Sequence, residues 1–289
     1  MNRDVTVRGR RMHACLLGSG DITIVLLSGS CVPLPQLEYR PLIKALATDQ
    51  FVVLLEKFGY GGSDSTSQPR DLPHVVAEYR EALAALDVPL PVVLAAHSMG
   101  FLEALYWTQH YPGEVSALVG IDPATPDSYR DFDMEKAAKQ ITNLSQKPLL
   151  RKIAADRYCR QLFRQLEIPP ERRSDLHAKA LRNFAGPVWA AESEAPTRCW
   201  RPCPKPPLPC PAPFPRFFSS PTAKGHPCPP PCGGSMVWIS WGIWSMGSIF
   251  CWICPTICTR QLRISLPKKS RPGCVQPLNR SKGGSYDDI

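Results

Sequence analysis

Within the first 123 residues, short β-branched runs alternate with amphipathic stretches, and this alternation limits the possible folds more than any other feature. Ile22–Leu27 is an apolar run that ends in Ser28-Gly29-Ser30, the pattern of a buried strand feeding a turn. Residues 41–48 have helical spacing, and Phe51–Leu55 is a second strand followed by the loop Gly59-Tyr60-Gly61-Gly62-Ser63-Asp64. Leu72–Leu86 places Val75, Val76, Tyr79, Leu83 and Leu86 on one helical face, with Glu78 and Glu81 off it. Val92–Ala95 is a third strand, Phe101–Tyr111 a helix, and Val115–Ile121 a fourth strand closed by Asp122-Pro123. Strands separated by helices of this length imply right-handed crossovers and a parallel sheet. The fold class is α/β.

After residue 123 the pattern changes. Residues 131–146, 148–165 and 169–184 are polar, helix-forming stretches with no strand between them. Residues 124–186 are therefore expected to form a helical cap over one end of a core spanning residues 1–123.

A second break falls near residue 195. Residues 1–195 hold 22 of the 34 Lys and Arg and 23 of the 25 Asp and Glu, which leaves only 12 and 2 beyond. The same last third holds 18 of the 32 prolines and 9 of the 12 cysteines. The formal charge of +9 thus belongs to the tail, and a near-neutral first part gives no reason to expect a nucleic-acid partner. Cys15, Cys31 and Cys159 are widely spaced, as in a reduced compartment, and residues 1–17 hold no apolar stretch of signal-peptide length. A cytoplasmic location is expected. The tail cysteines crowd among prolines rather than in regular paired units, so no metal is expected. Met236 to Cys254 is uncharged and long enough to cross a bilayer, but its Gly and Ser content and the lack of a second span argue against membrane insertion.

The segment that carries chemistry is Ala96-His97-Ser98-Met99-Gly100, between the third strand and the following helix. Small residues two places either side of a serine let strand and helix close around a tight, strained turn that exposes its hydroxyl. The backbone N–H of Met99 would then donate to an oxyanion at a helix N-terminus.

With this motif and the loops before it, residues 20–186 resemble an α/β-hydrolase. Ser28-Gly29-Ser30 stands where that superfamily has its His-Gly-x turn, so the resemblance makes the Ser30 N–H the second oxyanion donor, with Ser28 in place of the usual His. Phe58-Gly59-Tyr60-Gly61-Gly62-Ser63 is similar to the superfamily's G-x-G-x-S loop. The cap is similar to the helical lids of esterases, haloperoxidase-like enzymes and proline iminopeptidases. The resemblance implies a Ser–acid–His triad that transfers an acyl group from a small ester or amide without a cofactor. On that resemblance Ser98 is the nucleophile and Asp122, at the end of the fourth strand, the acid; the other reading of Asp122 is an N-cap or turn residue before Pro123. Glu103, five residues past Ser98, reads as a surface or cap contact.

The histidine is not supplied clearly. His177 falls mid-helix in the cap, His226 lies among prolines, and His97 would point away from the Ser98 hydroxyl. Residues 187–289 are expected to be an irregular, Pro/Cys-rich tail, disordered or read in a shifted frame. Residues 255–259, read from the third base of each codon, permit a Tyr-Leu-His type of ending. Without its last strands the sheet is expected to keep one uncovered edge. Two alternatives stand beside the serine hydrolase: a non-catalytic or damaged hydrolase fold, and a tail-anchored membrane protein.

Overall fold

The computed structural model describes residues 1–125, 134–199, 237–240 and 248–253. The shifted-frame reading of the tail, His226, and residues 236, 241–247 and 254 of the Met236–Cys254 stretch lie outside the described residues. The chain opens on a hairpin, β1 (Asn2–Val7) and β2 (Arg10–Leu17), turned by Arg8 and Gly9 at φ 50° and 74°. Two consecutive positive φ values match the right-handed twist of the strands they join. Val5 and Val7 of β1, with Met12, Ala14 and Leu16 of β2, face the core. No strand was expected in this charged segment, yet its alternation of buried and exposed residues is that of a half-buried hairpin.

Four strands follow in the expected places: β3 (Thr23–Leu27), β4 (Phe51–Glu56), β5 (Val92–Ser98) and β6 (Val115–Pro123). They are parallel in the spatial order β4, β3, β5, β6, with β2 antiparallel at the outer side of β4. The sheet is therefore mixed rather than wholly parallel. Alternate residues of the strands serve two cores. Val25, Leu27, Val53, Leu55, Leu94 and Ala96 pack with α3 (Leu72–Ala85) and α4 (Gly100–His110). Ile24, Leu26, Val52, Leu54, Val93 and Ala95 pack on the other face, against Ile43 of α2 (Arg40–Leu46), which follows the short α1 (Pro35–Glu38). Burial on both faces explains the unbroken apolar runs. Asp71 caps α3, accepting a hydrogen bond from the His74 N–H at 3.1 Å.

Two expectations are corrected. The outer edge of β6 is not bare: the backbone of β8 (Ser248–Ile253) pairs with it antiparallel, and β7 (Val237–Ser240) pairs with β8. The helical segment also runs past residue 186. After α5 (Met134–Ser145), α6 (Pro148–Gln165) and α7 (Pro170–Asn183) comes α8 (Pro187–Cys199), whose Val188, Trp189 and Glu192 are buried. Among the described residues no helix is long and apolar enough to cross a membrane.

The helices dock on the core in two ways. Leu34 and Leu37 pack with Cys159, Leu162, Phe163, Ile168 and Ala180 from α6, α7 and their connection. Asn183 Nδ2 donates to Gly61 O at 2.9 Å, and Arg182 Nη2 donates to the same carbonyl at 2.8 Å. Between these contacts the Tyr158 hydroxyl of α6 donates to Glu38 Oε1. Burial pushes the Glu38 carboxyl up from 4.5 to about 7, against the opposing pull of the Tyr158 hydrogen bond. With a folded value above the unfolded one, the stability this group contributes is complete below pH 4.5 and is lost as pH rises through about 7. Thermal unfolding between pH 5 and 8 is accordingly expected to show a fall in melting temperature that Glu38→Gln reduces. Identical pH profiles for the two proteins would contradict this docking.

Candidate active site

The turn between β5 and α4 is built by what is missing from its neighbours. Ser98 has φ 49°, a left-handed conformation that costs an ordinary residue on the order of 1–2 kcal/mol. A side chain at Gly100 would put its Cβ 2.7 Å from Ser28 O and 3.0 Å from Leu27 O, so the start of α4 and the end of β3 close up only with glycine there. A Cβ on Gly29 would lie 2.9 Å from Ser98 Cβ and 2.9 Å from His97 Nδ1. The Ser28-Gly29-Ser30 turn thus lies directly against the serine. The Ser30 hydroxyl donates to the Met99 sulfur at 3.2 Å, tying together the two loops that bear the candidate oxyanion donors. Ala96 is fully buried in the strand below.

Asp122 lies one strand over. It is exposed, with φ 44°, at an irregularity where Ser98 pairs with Pro123 and the Ala124 N–H donates to Ser98 O at 3.0 Å. Three of the four sequence candidates, Ser98, Ser30 and Met99, are therefore in contact or one residue from it, and Asp122 sits beside the same edge. The histidine that feels its charge is His97. His97 Nδ1 lies, like Ser98 Cβ, against Gly29, and its ring meets Tyr39 edge-on with centroids 5.9 Å apart. Burial holds the imidazole below its ordinary value, outweighing the raising effect of Asp122. Its Nδ1 is buried without a hydrogen-bond partner.

Each of the other described histidines is engaged elsewhere. His177 Nε2 meets Asp156 Oδ1 at 2.5 Å within the cap, His13 Nδ1 meets Asp4 at 2.6 Å, and His74 Nδ1 meets Asp71 at 2.5 Å. His110 Nδ1 lies 2.9 Å from Tyr106 O. Among the described residues, no histidine is hydrogen-bonded to Ser98.

Sequence reasoning missed a buried charge cluster under this turn. Lys57, the residue after β4, is fully buried and donates to Glu103 Oε1 at 2.9 Å and to Glu192 Oε1. The Tyr79 hydroxyl donates to Glu103 Oε2 at 2.9 Å, and the Tyr60 hydroxyl to Glu192 Oε2. Glu103 is therefore no surface contact: at 1% exposed it faces inward from α4. Burial holds its carboxyl above the usual range and Lys57 pulls it back, while the two carboxylates keep the ammonium charged against the burial that would neutralise it. A lysine directly after an apolar strand was the available signal, since lysine is almost never fully buried unless paired.

With the geometry in hand, similarity to known proteins can be stated. Residues 13–152 match the family model for the alpha/beta hydrolase fold. Over 130 residues the chain is 33% identical to the uncharacterized protein YbdG of Bacillus subtilis (strain 168), covering 45% of this chain and 40% of that one. The chain thus spans well under half of that relative's length. Among solved structures, Cfl2 from Burkholderia cenocepacia superposes with a TM-score of 0.54 at 23% identity, covering 68% of this chain and 73% of that one. Epoxide hydrolase VrEH1 from Vigna radiata gives a TM-score of 0.53 at 18% identity, covering 68% and 71%. At such identities the likeness is one of fold. The chain is similar to the alpha/beta hydrolase fold in sequence over residues 13–152 and in architecture.

The charge cluster generates a stability test. Lys57→Met leaves two buried carboxylates facing one another, and removing one partner of a buried pair costs about 3–5 kcal/mol. Glu103→Gln removes one of two carboxylates competing for the same ammonium and is expected to cost less. Urea unfolding measures both. A Lys57→Met protein within about 0.5 kcal/mol of the parent, as for an ordinary surface change, would contradict the pairing.

Proposed function

We propose that the chain is a serine hydrolase scaffold of the α/β-hydrolase type, with Ser98 as nucleophile toward a small ester or amide. The observation that carries this reading is the left-handed Ser98 between β5 and α4, pressed against the Ser28-Gly29-Ser30 turn. At the carboxyl edge of a parallel sheet, where such folds place their ligands, this presents one hydroxyl beside two loops rich in backbone N–H groups. In the reaction the Ser98 oxygen would bond to the substrate carbonyl carbon as its proton passes to a base. The N–H groups of Ser30 and Met99 would hold the oxyanion, and the alcohol or amine would leave with a proton. Water would then break the acyl–oxygen bond and restore the serine. Esters suit the site better than amides, because an alkoxide leaves with less need of protonation than an amine.

Asp122 is the proposed acid of the triad, and the histidine it would orient is not among the described residues. A serine hydroxyl without a base is weakly nucleophilic near neutral pH. That gap favours a second reading, a hydrolase fold that binds without catalysing. An activity-based fluorophosphonate distinguishes the two. Covalent labelling that maps to Ser98 and disappears in Ser98→Ala is expected of the hydrolase; a chain that stays unlabelled while folded would contradict it and leave the binding-only reading.

A further inference from the structure

We infer a second ligand site, for the phosphate group of a small molecule, in the cleft between the cap helix α7 and the N-terminal face of the core. The cleft has a volume of about 210 Å³ and is not lined by Ser98, Asp122, Ser30 or Met99. Its walls are strongly cationic. Arg172, Lys179 and Arg182 approach from α7, and Arg11 and Arg40 from the starts of β2 and α2. Against these five stand two carboxylates, Asp4 and Glu56, and both are already committed.

Glu56 accepts the Gln36 N–H at 3.0 Å and the Gly62 N–H at 2.6 Å, tucked so closely under the glycine loop that a Cβ on Gly61 would overlap it. Asp4 meets His13 Nδ1 at 2.6 Å and lies 3.8 Å from Arg11. Two of the cations, Arg40 and Arg182, have no carboxylate partner among the described residues. Arg182 points its guanidinium at the carbonyls of Gly61 and Ser63, which orient it without neutralising it. Arg40 makes no ion pair among the described residues, and its charge lowers the neighbouring Lys44 beyond the effect of burial. Arg11 holds Asp64 only at 3.4 Å, and Lys179 pairs with Asp175, an exposed helix-surface pair of small value.

Positive charge thus faces positive charge across the joint between cap and core. A multivalent oxyanion resolves that repulsion and can accept guanidinium hydrogen bonds from both sides at once. Two uncompensated guanidiniums, Arg40 from the core and Arg182 from α7, suit a phosphate dianion better than a single carboxylate. The volume, below the roughly 300–1,000 Å³ of drug-sized pockets, suits a small phosphorylated molecule or phosphate itself. Binding there would fasten α7 to the core.

Titration calorimetry of the full chain tests the site, with inorganic phosphate and with glycerol 3-phosphate as probes and ionic strength held constant by sodium chloride. One saturable site is expected. Arg40→Gln is expected to weaken it about tenfold, the loss of one charge-assisted hydrogen bond, and Lys179→Gln by a smaller factor. Lys179 is only partly buried, so its variant keeps the test valid if Arg40→Gln fails to fold. Tighter binding of glycerol 3-phosphate assigns the site to a phosphate monoester, and equal binding assigns it to free phosphate. Heats that never saturate, or equal affinities in the parent and both variants, overturn the proposal.

Discussion

The ammonium of Lys57 holds together the three parts of the molecule on which the candidate site depends. It lies at the end of β4, receives one carboxylate from α4, the helix that follows Ser98, and another from α8, and is sealed from water by Tyr60 and Tyr79. Three ionisable groups in such a place are tolerated only because each has partners, for an unpaired charge there would cost more than the whole domain can spare. The arrangement fixes distances as hydrophobic packing alone does not. A slide of α4 along the sheet would leave Glu103 or Lys57 unpaired, so the helix that begins at the serine turn has one register.

On that fixed helix the serine turn is a matter of small residues. Gly29 and Gly100 each occupy a place where a Cβ would strike the neighbouring backbone or side chain, and their absence of one lets two loops and a strand end converge on Ser98. His97, the residue before the serine, packs against Gly29 and Tyr39. Among the described residues no hydrogen bond joins this imidazole to Ser98, and its Nδ1 is buried without a partner. The cap adds a different kind of contact: a leucine-lined seam at Leu34 and Leu37, polar clasps from Asn183 and Arg182 to the glycine loop, and a cationic cleft beside them.

The parts of this fold legible in the sequence were those coded by local periodicity. Four parallel strands and the helices between them follow from β-branched runs and 3.6-residue spacing, and the serine motif is recognisable because strand, turn and helix are consecutive. What escaped was either masked or non-local. The hairpin of residues 2–17 alternates correctly, but its charged outer face hid the buried Val5, Val7, Met12 and Ala14. Glu103 resembles a surface glutamate until Lys57, 46 residues earlier, is placed opposite it. Glu192 lies beyond the boundary drawn at residue 186, because α8 starts on a proline and runs toward the proline-rich tail. The pairing of β8 with β6 joins residues too far apart for any local pattern to show.

The central claim, that Ser98 is a nucleophile held in a strained turn, is tested most directly by pre-steady-state hydrolysis of p-nitrophenyl acetate. The account expects a burst of one nitrophenolate per chain, abolished in Ser98→Ala. A slower linear phase should follow as water releases the acyl group from the serine. A linear release without a burst, equal in the parent and in Ser98→Ala, would contradict it.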